Sequence, residues 1–292
     1  MGKKYNVIAE EFESIDRFLQ VINSRRTNKV FNGQCSSARR GDTDFYGCET
    51  IEEAEKLIKE GYERPLREIK KAMRKHAFNP NAVVARQRPQ SNIMGYAPLV
   101  PNAILGLPNS MIHTEKQPMK MKAVTIRYSI GVVASVRTET IIKAGIATLN
   151  IVNLLELSGY RVKLIVEPKT STCRGTDDLT CVSINVKDFR EQLDLKKLSF
   201  PLVHPAMQRR FGFKWLETCE RITKNDWNWG YGQSVSNEKY EDAKRIYEDN
   251  GLIDQNTYLL NVTLCQEEDF NIDNIMERSG IAKVINQAKK GA

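Results

Sequence analysis

The sequence predicts an α/β fold with a mostly parallel sheet, one antiparallel strand and a helical N-terminal region. Three observations carry this prediction. An alternating segment from Ala123 to Ile130 is followed by a long helical pattern and then by a second alternating segment, Arg161 to Val166. A strand, helix and strand of these lengths imply a parallel pair joined by a crossover. A third alternating segment, Thr180 to Val186, follows a turn too short for a helix, so it must run antiparallel to the second.

Each element has a local reason. Residues 1–80 read as helical. Ser14 caps a helix with Phe18, Leu19 and Ile22 on one side. Thr50 and Glu53 form a capping box ahead of Ala54, Leu57 and Ile58, and Gly61 supplies the stop. Pro65 opens a third helix running to His76. Between the first two helices, Phe31 to Cys48 is rich in Gly, Ser, Arg and Asp and reads as a surface loop able to hold a nucleotide or a partner. Residues 81–120 form a Pro-rich connecting segment whose apolar stretch, Gly95 to Pro108, predicts an irregular path pinned across a hydrophobic surface. Residues 121–292 form the α/β core. Within it, Thr138 caps a helix ending at Gly159. Leu193 to Thr218 gives two helical pieces broken near Pro201 and Pro205. A helix spans Glu238 to Asp249, a strand spans Tyr258 to Leu264, and one terminal helix runs from Ile272 to Lys289.

Composition narrows the function classes. The 292 residues are 41% apolar and 27% charged, which excludes a largely disordered chain. No stretch of about 20 residues is free of charge, so no membrane span is expected. The N-terminus has no apolar signal core, and the six Cys form no Cys-x-x-Cys pair, so a reducing cytoplasm is expected. Cys181 and Cys265 fall inside strand patterns and read as core residues. The net charge is +8, and Arg64 to Arg88 holds eight Lys or Arg with one acid, Glu68. Arg67, Lys70, Lys71 and Arg74 recur at helical spacing, so that face suits phosphates or simply solvent.

Other candidates come in clusters. Arg209 and Arg210 adjoin Phe211, Phe213 and Trp215. Cations beside aromatics suit nucleic acid, while four-residue spacing places Phe211 and Trp215 in a core and leaves the two arginines exposed. Trp227, Trp229 and Tyr231 lie in a Gly-containing stretch suited to partner contacts, or folded back on its own core. His204 is the one candidate general base, with Asp188 and Asp194 as possible orienting acids, and a structural histidine is the alternative. No Walker loop, dinucleotide fingerprint or His-Glu-x-x-His is present, so no cofactor is expected.

Three stretches, Val100 to Ile112, Ser158 to Val162 and His204 to Phe213, resemble a family of bacteriophage and prophage proteins of unknown function. The element order from Met121 onward is similar to a von Willebrand factor A-like (Rossmann-like) core. That likeness implies a divalent-metal site after the first core strand, built on Asp-x-Ser-x-Ser. Here Arg127 to Ser135 contains no acid. Ser129 and Ser135 keep hydroxyls at degenerate metal-site positions, and hydroxyls alone hold Mg²⁺ poorly. The phage resemblance implies an accessory protein in the host cytoplasm. It would bind a host or phage protein, or DNA or RNA, without catalysis. The alternative is a nucleic-acid-processing or phosphate-ester hydrolase using His204 and nearby carboxylates. With no acid at the expected metal position, millimolar Mg²⁺ is expected to leave the melting temperature unchanged. A Mg²⁺-dependent rise would place ligands elsewhere.

Overall fold

The computed structural model describes residues 4–31, 35–75, 89–114, 122–172, 177–222, 231 and 233–291. The strands are β1 (Asn6–Phe12), β2 (Pro89–Asn92), β3 (Ala97–Pro98), β4 (Met111–Thr114), β5 (Lys122–Ser129), β6 (Tyr160–Thr172), β7 (Asp178–Lys187), β8 (Gln233–Ser234) and β9 (Thr257–Asn261). The helices are α1 (Ile15–Ser24), α2 (Thr43–Tyr46), α3 (Ile51–Glu60), α4 (Leu66–Lys75), α5 (Val100–Ile104), α6 (Thr138–Leu157), α7 (Leu195–Val203), α8 (Phe213–Thr218), α9 (Tyr240–Asp249), α10 (Val262–Glu267), α11 (Ile272–Ser279) and α12 (Ile281–Gly291). A π-helix, Met207–Gly212, precedes α8.

One mixed sheet carries the fold, in the order β1-β7-β6-β5-β9, with β8 paired to the end of β6. β5 runs parallel to β6 and to β9, β1 runs parallel to β7, and β6 and β7 are antiparallel. The predicted directions of the three core strands are thus observed. Period-two alternation puts Val124, Ile126 and Tyr128 in the core. Helices α6 and α10 meet, with Cys265 Sγ 4.0 Å from the Ala144 carbonyl. Helix α6 is long and apolar enough to cross a membrane, but 61% of its most apolar window is buried inside the protein, where it serves as the central core helix.

Several expectations need correction. The N-terminal region is not wholly helical, because Asn6–Phe12 pairs with β7 and joins the central sheet. The strand expected to reach Leu264 ends at Asn261, whose side chain accepts from Leu264 N at 2.7 Å and starts a helix instead. The terminal helix is two helices, divided at Gly280, whose φ of +85° ends the first in a left-handed cap. Helix α6 begins at Thr138 with Arg137 as N-cap and no side-chain cap, and the Thr138 hydroxyl donates to the Asp44 carbonyl at 2.5 Å. The Pro-rich segment is regular rather than pinned. β2, β4 and β3 form a separate antiparallel sheet, and among the described residues its hydrogen bonds are internal. The caps at Ser14 and Thr50 form as expected, accepting from Arg17 N and Glu53 N, both at 3.2 Å.

A bulge in β6 shapes the sheet. Register shifts between Val166 and Lys169, where Glu167 and Pro168 stand, and a proline is tolerated in a strand at such a bulge. Gly212 packs on it, since a Cβ there would lie 2.7 Å from the Pro168 carbonyl oxygen. Glu167 is fully buried, and its oxygens are occupied. Arg127 Nε donates to Oε1 at 2.7 Å, Thr170 Oγ1 donates to Oε2 at 3.2 Å, and the Tyr247 hydroxyl donates to Oε2. Arg127 Nη2 donates to Ser183 Oγ at 2.6 Å, and Nη1 donates to the Leu252 carbonyl. Burial opposes the Arg127 charge, but Glu167 outweighs it and raises the guanidinium above its ordinary value. Removing one partner leaves the other buried and uncompensated. Arg127→Leu is therefore expected to lose about 3–5 kcal/mol in urea unfolding, and Arg127→Leu/Glu167→Leu less than the sum of the single changes. Additive losses would show that the two groups do not act as a pair.

Candidate functional site

The loop over the carboxyl end of β5 is built by two neighbouring arginines. The π-helix presents Arg209 and Arg210, which are 1% and 0% exposed. Arg209 donates to the Phe45 carbonyl and the Val136 carbonyl, both at 2.6 Å, and to Thr138 Oγ1 at 3.2 Å. Arg210 donates to the carbonyls of Ser37, Arg39, Cys48 and Glu49. Each guanidinium also lies on an aromatic ring, Arg209 4.1 Å from the Phe45 centroid and Arg210 3.8 Å from the Tyr46 centroid. Burial pulls Arg209 down to about 10. These residues were expected to be exposed for nucleic acid. They are instead the internal clamp of the segment from Ser36 to Glu49, where carbonyls outside or at the end of the short helix α2 have no ladder to satisfy them.

A second anchor holds the same segment. The Glu217 carboxylate accepts from Ser37 N at 3.1 Å and from the hydroxyls of Ser37 and Tyr231. Ser36 N donates to the Tyr231 hydroxyl at 2.8 Å, and the Tyr231 ring stacks on Phe213 with centroids 4.2 Å apart. Burial, and then the Glu217 charge, push the Tyr231 hydroxyl above its ordinary value, so it remains a donor. Tyr231 is therefore committed to the core rather than offered to a partner. Trp227 and Trp229 lie outside the described residues.

Between these anchors and the sheet lies a cavity of about 440 Å³. Its buried lining includes Tyr46, Val132, Lys169, Gln208 and Ser234, and its exposed rim includes Arg39, Asp42, Val133 and Ala134. β6 positions Lys169, whose ammonium donates to the Tyr231 carbonyl. Gln208, on the first turn of the π-helix, donates to the Val132 carbonyl at 2.5 Å, while its Oε1 has no hydrogen-bond partner among the described residues. The cavity sits where open α/β sheets take ligands, outside the carboxyl ends of parallel strands. Sequence reading missed Lys169 and Gln208. The helix break at Pro205 was the one local signal near Gln208, since π-turns concentrate at functional sites.

The other expected positions separate from this cavity. Ser129 is buried and accepts from Ser236 Oγ at 3.2 Å, while Ser135 is exposed in the turn before α6. Among the described residues no group of three or more His, Cys, Asp or Glu side chains converges as a metal site. Arg67, Lys70, Lys71 and Arg74 are exposed on α4, opposite buried Ile69. His204 is 2% exposed, stacked on Phe200 with centroids 4.5 Å apart, and its Nδ1 accepts from Ala206 N at 3.1 Å. Asp194 caps α7 and Asp188 accepts from Arg190 N, so neither orients the imidazole. His204 is thus a structural histidine. Burial lowers it to about 4 from its ordinary 6.5, so the folded state prefers it neutral. Its contribution is complete above pH 6.5 and is lost as pH falls towards 4, by about 3 kcal/mol in all. His204→Phe is expected to flatten that part of the acid profile in urea unfolding. An unchanged profile would show that His204 titrates normally.

No curated protein and no solved structure matches the chain. A family model described as a domain of unknown function (DUF7192) matches residues 2–283. That match spans nearly all of the sequence that builds the sheet, the arginine clamp and the cavity, and the chain belongs to this family.

Proposed function

We propose that this protein is a non-catalytic accessory module that binds a protein partner through the sheet formed by β2, β3 and β4. One observation carries the reading. Of the large apolar residues exposed among the described residues, all but Val133 and Leu157 lie in this unit: Ile93, Met94, Tyr96, Val100, Ile104, Leu105 and Leu107. Ile104 and Met94 are each 79% exposed. Exposed apolar side chains gathered in one short stretch of chain suit an interaction site. The unit is also internally hydrogen-bonded, so its backbone needs no further satisfaction from the core. The hydrolase alternative has no comparable support, because among the described residues His204 meets no carboxylate. The resemblance of Val100 to Ile112 to phage and prophage proteins supports a phage-type role in the host cytoplasm, and the order of the core strands supports the von Willebrand factor A-like label.

Nucleic acid is the second reading, favoured by the exposed face of Arg67, Lys70, Lys71 and Arg74. The two readings separate experimentally. Ile104→Glu/Leu105→Glu is expected to reduce partner recovery from host cells by about tenfold or more, with the melting temperature retained, because neither side chain is in the core. Undiminished recovery of the same partners would remove the protein-binding reading. Lys70→Gln/Lys71→Gln/Arg74→Gln would reduce the salt slope of DNA or RNA binding by about three units. Absence of any salt-sensitive binding by the unmodified protein would remove the second reading.

A further inference from the structure

We propose that the β2–β4 unit binds a second copy of this chain, unit to unit about a two-fold axis, a proposal that rests on the protein-binding reading of that unit. The unit lacks a core of its own. From Gln90 to His113 no residue is buried. A small sheet needs an apolar face covered to be stable. Among the described residues the hydrogen bonds of this one tie it only to itself. Its stability therefore calls for a body laid against it.

The apolar side chains of the unit stand at one end of it. Asn92 closes β2 opposite Met111, and Pro98 closes β3 opposite the same residue. Both connections, residues 93–96 and 99–110, therefore begin at the Met111 end of β4. The first crosses β4 with Gly95 against its backbone, where a Cβ would lie 2.1 Å from the Ile112 carbonyl oxygen. All seven exposed large apolar side chains of the unit lie on these two connections, and they are 46–79% exposed. At roughly 100 Å² each they offer on the order of 700 Å² of apolar surface, near the ~800 Å² per partner that a standard-size interface buries.

Charge selects the occupant. Residues 89–114 hold no Asp, Glu, Lys or Arg, which corrects the expectation that no stretch of about 20 residues is free of charge. Four prolines in the stretch still bar a spanning helix. The chain carries a net charge of +8, so two copies repel wherever like charges meet. On this unit they meet without that opposition. Neutrality also removes the charge pairing by which a foreign partner would be selected. The contact is unit to unit, because the other exposed large apolar side chains among the described residues are Val133 and Leu157, too few to receive it. A like-on-like contact is isologous and closes at two chains.

The test is sedimentation equilibrium of the purified full chain from about 1 to 200 μM. A reversible equilibrium of one and two chains is expected, with no larger species. In an isologous contact each substitution occurs twice. Ile104→Glu/Leu105→Glu is therefore expected to weaken self-association about a hundredfold, where a foreign partner would lose about tenfold. Met94→Glu, on the other connection, is expected to weaken it as well, so the result does not hang on one variant folding. A chain that stays single at about 200 μM would overturn the proposal. So would a pair left unchanged by both variants, or a ladder of larger species, which marks a contact that does not close. A single chain that still recovers host proteins through Ile104 and Leu105 would remove self-association alone and leave the protein-binding reading standing. A single chain that recovers none, and instead co-sediments with phosphatidylserine-containing vesicles through the same residues, would remove both.

Discussion

A carboxylate buried in the middle of a sheet sets the conditions for the rest of this structure. Glu167 is inaccessible to water, and an isolated charge in that position would be strongly destabilising. Its stability therefore depends on groups converging from β5, β6 and α9: Arg127, Thr170 and Tyr247. Burial and the same carboxylate push the Tyr247 hydroxyl well above its ordinary value, so it keeps its proton and remains a donor. The bulge that admits Glu167 and Pro168 into β6 is also the surface on which Gly212 packs. The sheet, the helix behind it and the π-helix above it are thus tied through one polar cluster.

The protein buries cations in two ways. Arg127 faces a carboxylate, while Arg209 and Arg210 face carbonyl oxygens and aromatic rings. The second arrangement suits a segment with little regular structure. Carbonyls that would otherwise lack partners converge on two planar forks, whose donors are fixed in direction. A loop with one four-residue helix acquires a defined shape without a ladder of its own. That shape forms one side of the cavity.

Much of the sheet was legible because its strands alternate with period two and its crossover helix has unmistakable apolar spacing. Thr50 and Ser14 announced their helices through side-chain chemistry that acts within three residues. β1 was hidden because Glu10 and Glu11 interrupt its apolar pattern, and its partner strand lies far along the chain. The arginine clamp was hidden for a related reason. Sequence shows two cations beside aromatics, while the carbonyls that bury Arg210 lie more than 160 residues earlier. The basic face of α4 was readable because helical spacing alone separates it from Ile69. Lys169 and Gln208 carry no local signature, since their importance arises only where a bulge and a π-helix meet.

The position of β1 has a consequence for the order of events during synthesis. Asn6 pairs opposite Asp178 and Phe12 opposite Ile184, so β1 must wait for β7, which is synthesised much later. Closing so long a loop is entropically unfavourable, and non-local pairings of this kind slow folding. Until β1 docks, the flank of β7 remains an open row of donors and acceptors, the kind of edge that other chains can extend. The acidic pair Glu10 and Glu11 then has a second merit. Charge on a waiting strand discourages its pairing with a second nascent chain, at a stage when its proper neighbour does not yet exist.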